Sequence, residues 1–349
     1  MKFYMAPMEG ITNHIYRQAH LHHFGHIDRY YMPFLSSLGL NYKEIRDIAP
    51  ENNQGMDIVP QVLTNHAEIF LGLAEMFRDL GYTEVNLNIG CPSGTVTAKG
   101  RGSGFLRHLP ELEIFLDEIF EKSALPISIK TRIGYASEEE WPAILELLIR
   151  YPATELIIHP RLRQDLYKGP VRPDAYELAE RTVENPAEQT WEKRAEEPEK
   201  KTLVGCESGE MFGDRDKIDR SDANRRVSPL CYNGDIYSVE DYQTIHNRFP
   251  NTDRVMLGRG LIGNPGLAGE LKGKAPMTRS QLEGFLDELF VGYRNIIPED
   301  KNILFRLLEV WTYLARSFPE GDKVLKRIRK SKSLAEYRSV VAGALEEFE

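Results

Sequence analysis

The sequence predicts an α/β protein: a (β/α)8 TIM barrel over residues 1–275, followed by a smaller all-helical C-terminal domain over residues 276–349. Three observations predict it. Eight short β-rich apolar runs recur, at residues 2–6, 29–32, 58–63, 84–88, 127–130, 155–159, 229–233 and 254–257, and most are followed by a stretch with helical spacing. Polar or reactive residues (Pro7, Gln61, Asn88, Lys130, His159, Asn233 and Gly258) fall at or just after these runs, where a barrel gathers its functional loops. From residue 277 onward the strands cease and only helical patterns remain.

Strand followed by helix, repeated, implies parallel pairing with right-handed crossovers. Residues 66–80 place Ile69, Leu73, Phe77 and Leu80 on one helical face, and 112–120 continue the pattern after the next strand. Eight such units favour a closed barrel over an open doubly wound sheet. Residues 184–227 break the rhythm, being crowded with charge and poor in large apolar residues, so they predict an insertion between the sixth and seventh strands, a solvated charged loop partly helical around 187–201. The tail predicts helices at 282–293, 303–317, 323–331 and 334–348. Leu304, Leu307, Leu308, Trp311 and Leu314 share one packing stripe.

At 349 residues the chain accommodates a barrel of about 250 residues and an appendage of under about 100. Hydrophobic content of 41% with 28% charged residues is that of a globular protein. No apolar run reaches the roughly 18 residues that span a membrane, and the opening MKFYMAPMEG lacks signal-peptide regions, so a cytoplasmic protein with no membrane contact is expected. Cys91, Cys206 and Cys231, widely and unequally spaced, give neither a disulfide framework nor a zinc pattern, and no metal is expected. A net charge of −9 counts against a nucleic-acid partner unless cations are clustered. They are clustered between Lys323 and Lys332, where six basic residues stand with no acidic one; such a run is commonly a solvated helix face, but on an acidic protein it also suits a polyanionic substrate.

Gly258 and Arg259 follow the eighth run, and Asn233, Gly234 and Asp235 follow the seventh. Together they suit the phosphate site that barrels build after strands seven and eight, which points to a monophosphate cofactor. Lys130 would bring an ammonium into the barrel mouth, suited to negative charge on a reduced flavin. Gln61 and His159 are candidates for the flavin's hydrogen-bonding edge and its ribityl or phosphate region, and Arg161, Arg163 and Lys168 make a cationic rim on the loop after His159. Cys91 lies before Pro92 in a polar, Gly-rich loop with no nearby His, so a neutral thiol acting as general acid fits it better than a nucleophile, although a buried inert cysteine is the common alternative.

Six runs in order, APMEGITN at 6–13, NLNIGCPS at 86–93, IKTRIG at 129–134, IIHPR at 157–161, YNGDI at 232–236 and VMLGRGLIGNP at 255–265, resemble the tRNA-dihydrouridine synthases, FMN-dependent barrel enzymes. The resemblance covers residues 1 to about 270 apart from the charged insertion, and the tail looks like that family's RNA-binding domain. It implies FMN held by Pro7, Met8, Glu9, Gln61, Lys130, His159, Asn233, Gly234, Asp235, Gly258 and Arg259. It also implies reduction of the flavin by NADPH, hydride transfer from flavin N5 to uridine C6, and Cys91 as proton donor to C5. Asn88, Arg161, Lys326, Arg327 and Lys330 would bind tRNA, and no obligate protein partner is implied. Two departures stand out: Asn86 replaces the family's usual Asp, and the insertion is unusually long. The competing readings are an FMN barrel oxidoreductase acting on a free pyrimidine, resembling dihydroorotate or dihydropyrimidine dehydrogenases, and an RNA-binding protein without catalysis.

Overall fold

The computed structural model of the chain describes residues 1–184 and 228–348. The expected insertion at 184–227 lies outside the described residues but for Glu184. Nine parallel strands follow one another: β1 (Lys2–Met5), β2 (Arg29–Tyr31), β3 (Ile58–Val59), β4 (Gln61–Val62), β5 (Val85–Ile89), β6 (Ile127–Gly134), β7 (Leu156–Leu162), β8 (Leu230–Tyr232) and β9 (Arg254–Leu257). Their order is β3-β2-β1-β9-β8-β7-β6-β5-β4.

The two ends of that order are one stretch of chain interrupted at Pro60, which has no N–H to give to a ladder. Ile58 and Val59 pair with β2, whereas Gln61 and Val62 pair with β5. Pro60 still accepts a 2.9 Å hydrogen bond from Asn86 N–H. The ring therefore closes through a single kinked strand, giving the eight-stranded (β/α)8 barrel that the eight apolar runs predict.

Helices follow the strands: α1 (His14–His23), α2 (Ala67–Asp79), α3 (Leu109–Lys122), α4 (Trp141–Leu148), α5 (Pro173–Glu184), α6 (Val239–Arg248) and α7 (Arg259–Gly263). Side-chain alternation along each strand divides the apolar residues into two sets. Tyr4, Ala6, Tyr31, Val59, Ile157, Cys231 and Met256 form a small cluster of their own. Their neighbours of opposite parity, such as Phe3, Met5, Tyr30, Leu156, Ile158 and Val255, belong to the large shell shared with the helices. The small cluster is the barrel interior.

Polar layers sit above and below it. At the N-terminal end Glu155, 1% exposed, accepts hydrogen bonds from Tyr4 Oη (3.1 Å), Tyr31 Oη (2.9 Å) and Arg254 Nη1 (3.2 Å). On the other side Gln61 Nε2 donates to Asn86 Oδ1 at 2.8 Å, Asn86 Nδ2 to Ser128 Oγ at 2.9 Å, and Asn88 Nδ2 to Gln61 Oε1 at 2.8 Å. Asn86, the departure from the family's usual Asp, thus works as an amide that both accepts and donates.

The C-terminal region comprises α8 (Arg279–Ile296), α9 (Asp300–Leu314), α10 (Gly321–Lys330) and α11 (Leu334–Glu346). Leu307, Trp311 and Leu314 of the expected stripe are buried, with Leu304 and Leu308 packed at its edge, and Trp311 Nε1 donates to Tyr337 Oη at 2.9 Å. These helices pack on α1 and α7, the helices that follow β1 and β9. Phe285 meets the Tyr16 and Phe24 rings edge-on at 5.4 Å, Ser317 Oγ donates to Gly263 O at 2.5 Å, and Arg306 Nη1 donates to Gly10 O at 3.2 Å. The helical region is thereby fixed to one side of the barrel mouth. Among the described residues no helix is long and apolar enough to cross a membrane, and no cluster of His, Cys, Asp or Glu is placed to hold a metal ion.

Glu155→Ala removes the acceptor that satisfies two buried tyrosines and Arg254. It is expected to destabilise the fold by about 3–5 kcal/mol, read as a lowered midpoint of urea unfolding followed by circular dichroism.

Candidate active site

A cleft of about 270 Å³ opens at the C-terminal ends of the strands. Pro7, Met8 and Glu9 come to it from the loop after β1, and Asn88 and Cys91 from the end of β5. Lys130 and Arg132 lie on β6, His159 on β7, Asn233, Gly234 and Asp235 after β8, and Gly258 and Arg259 after β9. All these except Arg132 are residues singled out in the sequence.

The Cys91 loop is held from both sides. Asn88 Oδ1 accepts from the N–H groups of Gly90 and Cys91, both at 3.0 Å, and Cys91 O accepts from Ser103 N–H at 3.0 Å and Ser103 Oγ at 2.9 Å. Gly102 makes this possible, because its φ of +55° is a left-handed conformation and a Cβ there would lie 2.7 Å from Cys91 O. The thiol itself is half-buried, and burial pushes its pKa up. The Ser93 N–H and the charges of Arg132 and Lys130 pull the other way without reversing it, while Glu9 adds to the rise. Cys91 is therefore a neutral thiol with a proton to give, not a resting thiolate.

The Lys130 ammonium makes no hydrogen bond or ion pair to any described residue; burial, with the Arg132 charge beside it, lowers its pKa to about 8. Arg132 is 1% exposed and spends three donors on backbone: Nε to Gly90 O (3.0 Å), Nη1 to Leu162 O (2.8 Å) and Nη2 to Leu166 O (2.6 Å). It ties the Cys91 loop to the loop after β7. Its position two residues beyond Lys130 on the same strand puts both on one face, and that period of two was the available signal for it.

Arg161 takes a different place from the rim expected for it. It is buried, with Nη1 donating to Asp235 Oδ1 at 2.9 Å, Nη2 to Asp235 Oδ2 at 2.5 Å and Nε to Gly169 O at 2.8 Å. Arg259 Nη2 donates to the same carboxylate at 2.5 Å, while its Nη1 donates to Tyr167 O at 2.8 Å. Burial alone would raise the Asp235 pKa, but the two guanidinium groups outweigh it and hold the carboxyl below its ordinary range. Two cations on one carboxylate leave a net positive charge. The loops after β8 and β9 are pressed together here, since a Cβ on Gly260 would fall 1.9 Å from Ile236 O.

His159 Nε2 lies 3.2 Å from Arg161 Nη1. A guanidinium can only donate, so Nε2 is the acceptor and the proton sits on Nδ1. Burial first, and then the Arg132 and Lys130 charges, keep this imidazole neutral, with its pKa well below the ordinary range. Gln61, by contrast, does not line the cleft: its amide bonds to Asn86 and Asn88 and supports Asn88 from behind. Tyr167 and Tyr313, neither anticipated, also line the cleft, the latter from α9. An unpaired, half-buried ammonium, a neutral imidazole donor and a partly neutralised Arg259 at paired Gly-rich loops fit an anionic, phosphate-bearing cofactor.

Residues 4–180 match the dihydrouridine synthase (Dus) family. The chain belongs to that family. The Dus family is one of tRNA-modifying, flavin-dependent oxidoreductases, so the chain is an enzyme of that class with tRNA as its substrate. It is 24% identical over 347 residues to the tRNA-dihydrouridine(16) synthase of Aquipseudomonas alcaligenes, covering 95% of each chain. A probable tRNA-dihydrouridine synthase of Staphylococcus epidermidis is 26% identical over 267 residues, 75% of this chain and 69% of that one. Among solved structures, a morphinone reductase mutant in complex with tetrahydroNAD is similar at a TM-score of 0.49 and 10% identity, over 81% of this chain and 90% of that one.

Because burial keeps the thiol neutral, alkylation of Cys91 by iodoacetamide should be slow at neutral pH. Its rate should go on rising with pH beyond the point where an unstructured cysteine peptide levels off, as measured by mass spectrometry of the Cys91 peptide.

Proposed function

We propose that this enzyme reduces specific uridines of tRNA to 5,6-dihydrouridine, with Cys91 as the proton donor, FMN in the cleft and NADPH as reductant. The observation that carries the reading is the neutral Cys91 thiol and the unpaired Lys130 ammonium lining one cationic cleft. FMN held in this cleft would supply, after reduction by NADPH, the hydride for C6 of the uracil ring. Lys130 offers the positive charge that favours a reduced, anionic ring system. Arg259, with the loops after β8 and β9, would hold the FMN phosphate, and His159 Nδ1–H is free to donate to an acceptor oxygen.

The C5=C6 bond of uracil is conjugated to a carbonyl, so addition at C6 leaves an enolate that must be protonated at C5. Cys91 Sγ–H gives that proton and recovers one from water. Asn88 both fixes the Cys91 backbone and keeps one amide N–H for a uracil oxygen, since its other amide N–H is spent on Gln61. A base in folded tRNA must be flipped out to reach this depth, at a cost of a few kcal/mol.

The helical region serves as the tRNA-binding domain. Lys326 and Lys330 stand exposed on α10 with no carboxylate partner among the described residues, whereas Arg327 is held by Glu347 through two 2.9 Å bonds. Lys326 and Lys330 are thus the freer phosphate contacts.

Two measurements test the reading. Deleting the gene should remove dihydrouridine from one or more tRNA positions, restored by the wild-type copy and not by Cys91→Ala; retention of every dihydrouridine in a strain with no second such enzyme would overturn it. In purified protein, Cys91→Ala should keep its flavin and its NADPH oxidation by an artificial acceptor, yet lose uridine reduction by about 10²–10⁴-fold.

A further inference from the structure

No Asp or Glu occurs between residues 85 and 110 of this acidic chain, while Lys99, Arg101 and Arg107 all do. The structure gathers these with two cations of the loop after β7. Arg163 Nη2 donates to Thr97 Oγ1 at 3.3 Å, and the guanidinium groups of Arg107 and Arg163 lie over the ring of Tyr135 at 4.5 and 5.2 Å. Arg101 Nε donates to Asn65 Oδ1 at 3.2 Å, and Asn65 Nδ2 donates to Lys99 O at 3.2 Å. Lys168 is exposed on the loop after β7, next to Tyr167, whose carbonyl accepts from Arg259 Nη1. None of Lys99, Arg101, Arg107, Arg163 and Lys168 is paired with a carboxylate of the described residues, and Arg163 Nε is buried without a partner.

The carboxylates close by are already committed. Asp165 is paired with Arg172 and accepts from Leu162 N–H, and Glu138 accepts from Arg172 Nε at 2.5 Å. Glu140 accepts from the N–H groups of Tyr135, Ala136 and Ser137. The five cations of this rim have no paired carboxylate among the described residues and outnumber these acidic neighbours. In the ring, β5, whose following loop carries Lys99, Arg101 and Arg107, and its neighbour β6 lie half a turn from β9 and β1, on whose helices the helical region is docked, whereas β7 is two strands from β9. The cleft opens between the two.

We infer that this rim is a second polyanion-binding surface, holding the tRNA phosphate backbone on the side of the cleft opposite the helical domain, so that the RNA spans the cleft and is gripped on both flanks. This rests on the tRNA reading above. Clusters of Lys and Arg bind phosphate by releasing counterions, which makes affinity fall with salt. Two grips on opposite sides also resist the lever that flipping one base out between them would exert.

The test uses full-length flavin-loaded enzyme and an unmodified tRNA transcript. Lys99, Arg101 and Arg107, none of which lines the cleft, are changed together to Ala, with Lys99→Arg, Arg101→Lys and Arg107→Lys as the charge-conserving control. The Ala variant should bind tRNA on the order of tenfold or more weakly, and the slope of log Kd against log salt should fall by about two, roughly 0.7–0.9 per lost contact. The control should behave as wild type, and bound flavin and NADPH oxidation by an artificial acceptor should be unchanged in both. Wild-type Kd and slope in the Ala variant would overturn the inference and leave the catalytic reading standing. Failure of the wild-type enzyme to reduce any uridine, while the rim variants still lose tRNA affinity, would instead sink the catalytic reading alone.

Discussion

Closure of the strand ring at Pro60 is the constraint on which the rest depends. A residue that cannot donate to a ladder sits where one strand must change partners, from β2 on one side to β5 on the other. Once the ring is closed every strand is covered on both faces, and a polar side chain pointing inward has only two outcomes. It is satisfied by another inward group, as Glu155, Asn86 and Gln61 are, or it reaches the open C-terminal end and faces the cleft. The site is built from the second class.

Electrostatics then sets the chemistry. Lys130, Arg132, Arg161 and Arg259 converge on a small space, where Asp235 answers two of them. Such an excess would ordinarily turn a neighbouring cysteine into a thiolate. Burial of Cys91 exceeds that pull and leaves the thiol protonated. Burial first, and then the same excess, keep His159 neutral and lower the pKa of Lys130, so the cleft is poised to receive negative charge and to release one proton.

Much of this was legible beforehand. Buried parallel strands read as short apolar runs, which placed all eight, and residues at their ends gave Cys91, Lys130, Asn233 and Arg259. Gln61 was expected at the flavin's edge and Arg161 on the rim, but both are held by protein partners. Gln61 is consumed by Asn86 and Asn88, 25 and 27 residues away, and Arg161 by Asp235, 74 residues away. No local pattern encodes such pairings. Arg132 escaped notice because its partners are backbone carbonyls of three separate positions, which leave no mark in side-chain type.

The sequence by itself determined the strand count, the helical tail, the loop that carries the thiol and the sign of the charge in the barrel mouth. These depend on residue type and near neighbours along the chain. Only the tertiary structure decided which cations stay free. Arg161, Arg259 and Arg327 look alike in the sequence to Lys130, Lys326 and Lys330, yet among the described residues the first three meet carboxylates and the others do not. A charge is most available to a ligand where the fold brings no opposite charge to it, and that depends on contacts between distant parts of the chain.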